Sequence, residues 1–450
     1  MENLDSSILA TALPEVARSL AVSPLHLSLA LSAYLLGLAA LVPASGWLAD
    51  RYGARRLFRL AIVVFTVASA ACGFATEVWQ LVLGRLLQGV GGAMMVPVGR
   101  LILLRRIPKH ELVSAMAWIT VPALVAPMIA PPLGGLIATY GSWRWIFWLN
   151  LPLGVLAWWL AGRHIPPEAP QPGPTLDWQA VLQLGLGLTL LLLGVETLGK
   201  GMLPGWAVIA LFAGAAAAFM GFLQRSRRPG HRALLPLQLW HLPTFRASLA
   251  GGNVFRAAVG ASSLLLPLML QTGFGMTAAE SGLLTCGGAM GALAMRTQAA
   301  TIVRRFGFRQ VLCIDAVASA ALLCSMALSG PQTPRVLLFA LFFAVGVTRS
   351  ILFTSVNTMG YADVSERDMS GATSLAATVQ QVATMLGIAL ASVVLQMLVV
   401  ARGLQTPGVG EFRAAWVLVG LLSLASLYWF RQLPADAGSS VSGHRGHPAG

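Results

Sequence analysis

The chain is 450 residues long, 56% of them hydrophobic and only 10% charged, at a mean hydropathy of +0.74. This excludes a water-soluble globule and defines a polytopic membrane protein. The formal net charge of +14 does not signal nucleic acid, because the cations are spread over separate loops instead of one face or tail.

Strand-like alternation is absent, so the spans are helices rather than barrel strands. The first segment, Met1-Glu-Asn-Leu-Asp5-Ser-Ser-Ile-Leu-Ala-Thr-Ala-Leu-Pro14, supplies about two-thirds of the roughly 20 apolar residues a span needs. It lacks the basic n-region and longer apolar core of a cleaved signal peptide. The expectation is a truncated first helix whose true start lies roughly ten to fifteen residues upstream. Further spans are predicted at 27–48, 57–75, 81–104, 112–138, 145–162, 178–198, 206–223, 245–270, 278–303, 311–328, 336–359, 371–400 and 412–430. With the partial first helix this makes about fourteen.

An even number places both termini on one side, and the cations choose it. With the loop around residues 46–57 inside, Arg51, Arg55, Arg56, Arg59, Arg100, Arg105, Arg106, Lys109, Arg163, Arg225 and ten more face the cytoplasm. Arg18, Arg144, Lys200, Arg335, Arg402 and Arg413 face out. About twenty against six is a strong positive-inside bias. Both termini are predicted cytoplasmic.

The loop Gly46-Trp-Leu-Ala-Asp50-Arg51-Tyr-Gly53-Ala-Arg55-Arg56 combines one acid, three cations and two glycines that permit close approach and chain reversal. It resembles the signature loop between helices 2 and 3 of the major facilitator superfamily. The segment Arg304-Arg305-Phe306-Gly307-Phe308-Arg309 repeats it at an offset of 254, with Arg51/Arg305, Gly53/Gly307 and Arg55/Arg309 in register and Arg304 where Asp50 stands. Two homologous six-helix halves are the build this implies.

Asp5 is one of very few acids at membrane depth, where an ionised group costs about 2.5–3.5 kcal/mol or more. Such a carboxyl is protonated, paired or in a wet cavity. Its run, Leu4-Asp5-Ser-Ser-Ile-Leu-Ala-Thr-Ala-Leu-Pro14, is similar to the first helix of the fourteen-span drug:proton antiporters. Arg85 in Arg85-Leu-Leu-Gln88-Gly89-Val-Gly91 keeps its charge and needs an anion, carbonyl or water, with Asp5 a candidate partner. That run matches the family's Arg-x-x-Gln-Gly-x-Gly motif, and the resemblance implies a role in proton coupling. Pro127, Pro131, Gly134 and Gly135 resemble the antiporter motif ending Gly-Pro-x-x-Gly-Gly and predict a kinked hinge helix. Ala126 and Ala130 stand where the family usually has glycine. The run Trp143–Gly154 also resembles the family and places aromatic anchors at the outer interface.

In the second half, Arg256 and Arg349 either face a substrate cavity, together with Gln88 of the first half, or pair structurally with Asp315 or with carbonyls. Arg296 is near enough to the inner surface to snorkel. The four cysteines, Cys72, Cys286, Cys313 and Cys324, have no metal spacing. No phosphate-binding Gly-Lys-Ser/Thr loop is present, so nucleotide hydrolysis and enzyme activity are not expected and no cofactor is implied.

The reading is an all-α polytopic membrane protein with the major-facilitator fold: two six-helix bundles plus two additional central helices. Residues 1–165 form the first bundle, 166–244 a linker carrying the extra pair, 245–433 the second bundle and 434–450 a solvated tail. The resemblance implies export of small amphiphilic compounds in exchange for protons by alternating access. Asp5 and Arg85 would be the coupling pair, and Gly46, Asp50, Arg51, Gly53 and Arg55 the conformational latch. A permease for a polar or anionic metabolite is the alternative, and a non-transporting receptor or scaffold a second. The partners implied are a small-molecule substrate, protons and the lipid bilayer, with a periplasmic adaptor protein left open.

Overall fold

A computed structural model describes residues 24–108, 111–116, 118, 137, 141–167, 177–197, 203–226, 236–295, 298–404 and 407–442, with residues 5, 8, 9, 16 and 18–20. Among these no strand occurs. The first half contains α1 (Pro24–Leu41), running through a 3-10 turn at Val42–Ala44 into α2 (Ser45–Tyr52). It continues with α3 (Ala54–Gly73), α4 (Val78–Arg106) and α5 (Asn150–His164). The extra pair is α6 (Trp178–Thr197) and α7 (Gly205–Ser226). The second half contains α8 (Pro243–Leu268, extended by a π turn at Met269–Gly273), α9 (Ala278–Ala294), α10 (Ala299–Ser325), α11 (Arg335–Met359), α12 (Met369–Ala401) and α13 (Val409–Arg431).

Among the described residues eleven helices are long and apolar enough to cross a membrane. Large apolar side chains such as Trp206, Ile209, Leu283 and Val336 stay exposed on their outer faces, which suits lipid and would be a liability in water.

The two halves repeat each other in their packing. In the first, α4 packs on α1 and α3, and α3 on α5. In the second, α11 packs on α9 and α10, and α10 on α13. The repeat reaches single residues at the same 254-residue offset. Gly53 and Gly307 both adopt positive φ, at 85° and 73°, so each signature loop turns through a backbone conformation that a Cβ would oppose. Gly37 lies against the Leu86 carbonyl of α4 as Gly291 lies against the Phe343 carbonyl of α11, with no room for a Cβ at either.

The second signature loop corrects one boundary. The expected span 278–303 ends at Ala294, and residues 299–306 form a separate helical stretch ahead of the Gly307 kink in α10. The apolar run misled because Ala299, Ala300, Ile302 and Val303 pack inward while Arg304 and Arg305 stay exposed, giving an amphipathic segment rather than the end of a span. After Leu433, where composition predicts a solvated tail, residues 434–442 turn back and bury Val441, with Gly438 against Phe308.

The halves meet along α12. It touches α2, α4 and α6, and one apolar cluster joins Ala49, Leu101 and Ile102 to Leu352, Val356, Met359 and Leu375. The extra helices pack on each other, and α6 docks on α1 and α12, with Gly185 close to Ala40.

Candidate functional site

The first bundle holds a fully enclosed polar network. Arg85, in the second turn of α4, donates through Nη1 to the Asp5 carboxylate and to Gln88 Oε1 at 2.8 Å. Gln88 lies three residues on, one turn along the same helix face, and its Nε2 donates to Asp5 Oδ1 at 3.0 Å. Asn150, the first residue of α5, donates to Asp5 Oδ1 at 2.8 Å and to Ser69 Oγ at 3.0 Å. Ser69 of α3 donates onward to the Phe147 carbonyl at 2.9 Å. The Tyr34 ring of α1 covers the guanidinium, with Arg85 Cζ 4.5 Å from its centroid. No side chain in this set exceeds 2% exposure.

Two buried charges in contact, each with further hydrogen bonds, form a stable arrangement only as a pair. The carboxylate accepts hydrogen bonds from three side chains, Arg85, Gln88 and Asn150. Among the described residues Arg85 Nε and Nη2 have no acceptor. Asn150, Ser69 and Tyr34 are the members that sequence reasoning missed. Asn150 sits in the aromatic run Trp143–Gly154, and nothing in its spacing links it to a residue 145 positions earlier.

A second group ties the halves together beside the signature loop. Asp50 accepts from Arg105 Nη2 at 2.7 Å within its own half and from Ser370 Oγ of α12 at 2.5 Å. Ser370 lies in the first turn of α12, where the positive end of the helix dipole favours a carboxylate. Gly46 N donates to Ser374 Oγ at 2.7 Å, and Ser45 Oγ lies 2.9 Å from the same hydroxyl. A Cβ at Gly46 would collide with the Ser370 carbonyl. Arg55 instead reaches the Gly162 carbonyl at the end of α5, bracing its own half. Arg51 is exposed, and Gly53 supplies the positive-φ turn. Arg105, read in sequence only as a cytoplasmic cation, is the ion-pair partner.

In the second half, Arg256 of α8 is 7% exposed and donates to Asn357 Oδ1 of α11 at 2.7 Å. Its Cζ stands 4.4 Å from the Phe353 centroid, and Arg349 Cζ stands 5.6 Å from the same ring. Neither arginine forms an ion pair with Asp315, which is buried in α10 with Oδ2 unpartnered. Gln88 belongs to the Asp5 network rather than to this group. Pro127, Pro131, Gly134 and Gly135, with Arg296, lie outside the described residues. Among the described residues no cluster of His, Cys, Asp or Glu is suited to a metal.

A duplicated bundle of membrane-crossing helices, with a buried ion pair in one half and a polar seam between the halves, is the build of a two-part membrane transporter. The chain belongs to the Major Facilitator Superfamily, whose family profile matches residues 1–252 and again 248–449. It is 34% identical over 448 residues to the "Putative multidrug resistance protein MdtD" of Salmonella heidelberg strain SL476, covering 97% of this chain and 93% of that one. The protein of the same name from Escherichia coli O127:H6 is 34% identical over 446 residues, covering 98% and 94%. Among solved structures, the proton:xylose symporter XylE bound to 6-bromo-6-deoxy-D-glucose superposes at a TM-score of 0.67 and 15% identity, covering 98% of this chain and 94% of that one. The human organic anion transporter MFSD10 does so at 0.65 and 13%, covering 95% and 96%. At such identities these two structures bear on the fold alone.

Proposed function

We propose that this transporter exports small amphiphilic molecules in exchange for protons by alternating access, in a bacterial cytoplasmic membrane with both termini inside. The observation that carries the reading is the enclosed carboxylate of Asp5, held by Arg85, Gln88 and Asn150. Protonation removes the charge that Arg85 neutralises and weakens the hydrogen bonds from Arg85, Gln88 and Asn150, so the proton-loaded and proton-free states favour different helix arrangements. The contacts of Asp50 and Gly46 with α12 tie the two halves together beside the signature loop and must be released for a passage to open on that side. The multidrug-resistance naming of relatives at 34% identity supports amphiphilic cargo.

Reconstitution into liposomes with an imposed pH gradient tests this. The expected result is substrate-dependent proton movement and gradient-driven accumulation, both lost in Asp5→Asn. Accumulation that persists unchanged in that variant removes Asp5 from the mechanism. Solute flux indifferent to the gradient turns the reading toward a facilitative permease.

A further inference from the structure

Three arginines lie where the two halves meet, and among the described residues no carboxylate pairs with them. Arg256 and Arg349 share the Phe353 ring. Arg100, from α4 of the other half, lies within electrostatic reach of Arg256 and points Nη1 at the Tyr361 hydroxyl, 3.5 Å away. Among the described residues no carboxylate lies within 4.0 Å of any of the three. Arg100 Nε and Arg349 Nε are buried without an acceptor. The neutral groups nearby hold the cations in place rather than neutralise them. Asn357 Oδ1 accepts from Arg256 at 2.7 Å and from Gln380 Nε2 at 3.3 Å, and Phe255 packs edge-on to Phe353 with centroids 5.9 Å apart.

A guanidinium cannot shed its charge, and like charges that are buried, as Arg256 is, or half-buried, as Arg100 and Arg349 are, are screened less than exposed ones. Closing the seam therefore sets Arg100 against Arg256 and Arg349 at a cost that an oxyanion between them would reverse. Planar guanidinium donors suit the paired oxygens of a carboxylate, sulfonate or phosphate, and the phenylalanines beside them suit an apolar body.

We propose that Arg100, Arg256 and Arg349 form the recognition site for the anionic head of an amphiphilic organic acid, bridged across the two halves. This rests on the transporter reading above and assigns its cargo a charge: lipophilic cations are repelled, and the anion favours the closed seam.

The test uses the full chain in neutral detergent with no pH gradient, titrated with 2-naphthalenesulfonate, which stays ionised and is fluorescent, and in parallel with tetraphenylphosphonium. The expected result is saturable binding of the sulfonate but not of the phosphonium. Binding is expected to weaken tenfold or more in Arg256→Gln and in Arg349→Gln, less in Arg256→Lys, and with added salt. Arg100→Gln, on the other half, gives the same loss if either of those variants fails to fold. Unchanged affinity in the glutamine variants overturns the assignment. So does displacement of the sulfonate by phosphatidylglycerol micelles at matched concentration, which makes the site a lipid-headgroup site. Gradient-driven export of tetraphenylphosphonium with no sulfonate binding leaves proton antiport standing and removes this site. Sulfonate binding in a protein whose flux ignores the gradient removes antiport and keeps it.

Discussion

Removing one charge from the Asp5–Arg85 pair and then both separates its structural from its transport role. Both side chains are 0% exposed, so Asp5→Asn leaves a guanidinium in a closed apolar setting with Tyr34 above it. Breaking such a pair from one side costs about 3–5 kcal/mol, chiefly the uncompensated charge. The replacement amide presents one acceptor oxygen where the carboxylate took donors from Arg85, Gln88 and Asn150, so hydrogen bonding offsets little of that cost. Arg85→Gln leaves the opposite orphan at similar cost. The double variant Asp5→Asn/Arg85→Gln holds only neutral groups and is expected to be more stable than the sum of the singles by about 1–3 kcal/mol. Denaturant titration of the four proteins in detergent measures the cycle, and the same proteins in liposomes report transport. The expected pattern is recovered stability with no recovered proton coupling. Additivity within about 0.5 kcal/mol, or proton-driven accumulation by the double variant, refutes the coupling of these two residues.

Asp50→Asn weakens its bonds to Arg105 and Ser370. At about 1.4 kcal/mol for each tenfold change and about 1.5–3 kcal/mol for a hydrogen bond to a charged group, it shifts the population toward the state open on the signature-loop side by tenfold or more. Thiol labelling of a cysteine placed at the Gly46–Ser374 seam reads this. Gly307→Ala forces a Cβ onto φ 73° and is expected to cost about 1–3 kcal/mol, as is Gly53→Ala at φ 85°. Gly282→Ala, with nothing near its Cβ position, is expected to leave the unfolding midpoint unmoved. Asp177, at the head of α6, bonds Arg225 near the end of α7 at 2.5 Å. Burial raises its pKa, but the Arg225 hydrogen bond and charge and the backbone N–H of Ala180 and Gln179 together hold it below the ordinary carboxylate value. A depressed folded-state value adds stability above the unfolded pKa of about 3.9 that is lost as pH falls through the lower folded one. Protease nicking between α6 and α7 should therefore rise only in that acid range, and Asp177→Asn should abolish the dependence.

The helical bundle is legible in the sequence because each lipid-crossing helix must satisfy its backbone internally and present an apolar exterior, and both requirements mark composition residue by residue. The duplication is legible for a similar reason, since Gly53 and Gly307 answer to local backbone geometry. The boundary near 294–307 was not. Alanines and isoleucine continue the apolar run there, and only three-dimensional packing shows that one face serves the protein and the other, with Arg304 and Arg305, faces away. Of the enclosed network, Arg85 and Gln88 share one helix turn and could be paired from spacing. Asn150 and Ser69 come from other helices, and Asn150 meets both Asp5 and Ser69 only after folding. Ser370 and Arg105 at Asp50 are likewise invisible locally, because serines and arginines at helix ends are common and a single chain does not say which face meets which. That no described acid pairs with Arg256 or Arg349 could not be read at all, since Asp315 was an equally available partner until its place in α10 was known.

The Asp5 carboxylate holds α4 through Arg85 and Gln88 and α5 through Asn150, and Asn150 carries the connection on to α3 through Ser69. Under the antiport proposal, a change of charge at this one group reaches three helices together. Antiport of that kind would tie the stoichiometry of exchange to the count of such hubs, and the described part of the second half has no carboxylate serving several helices in this way.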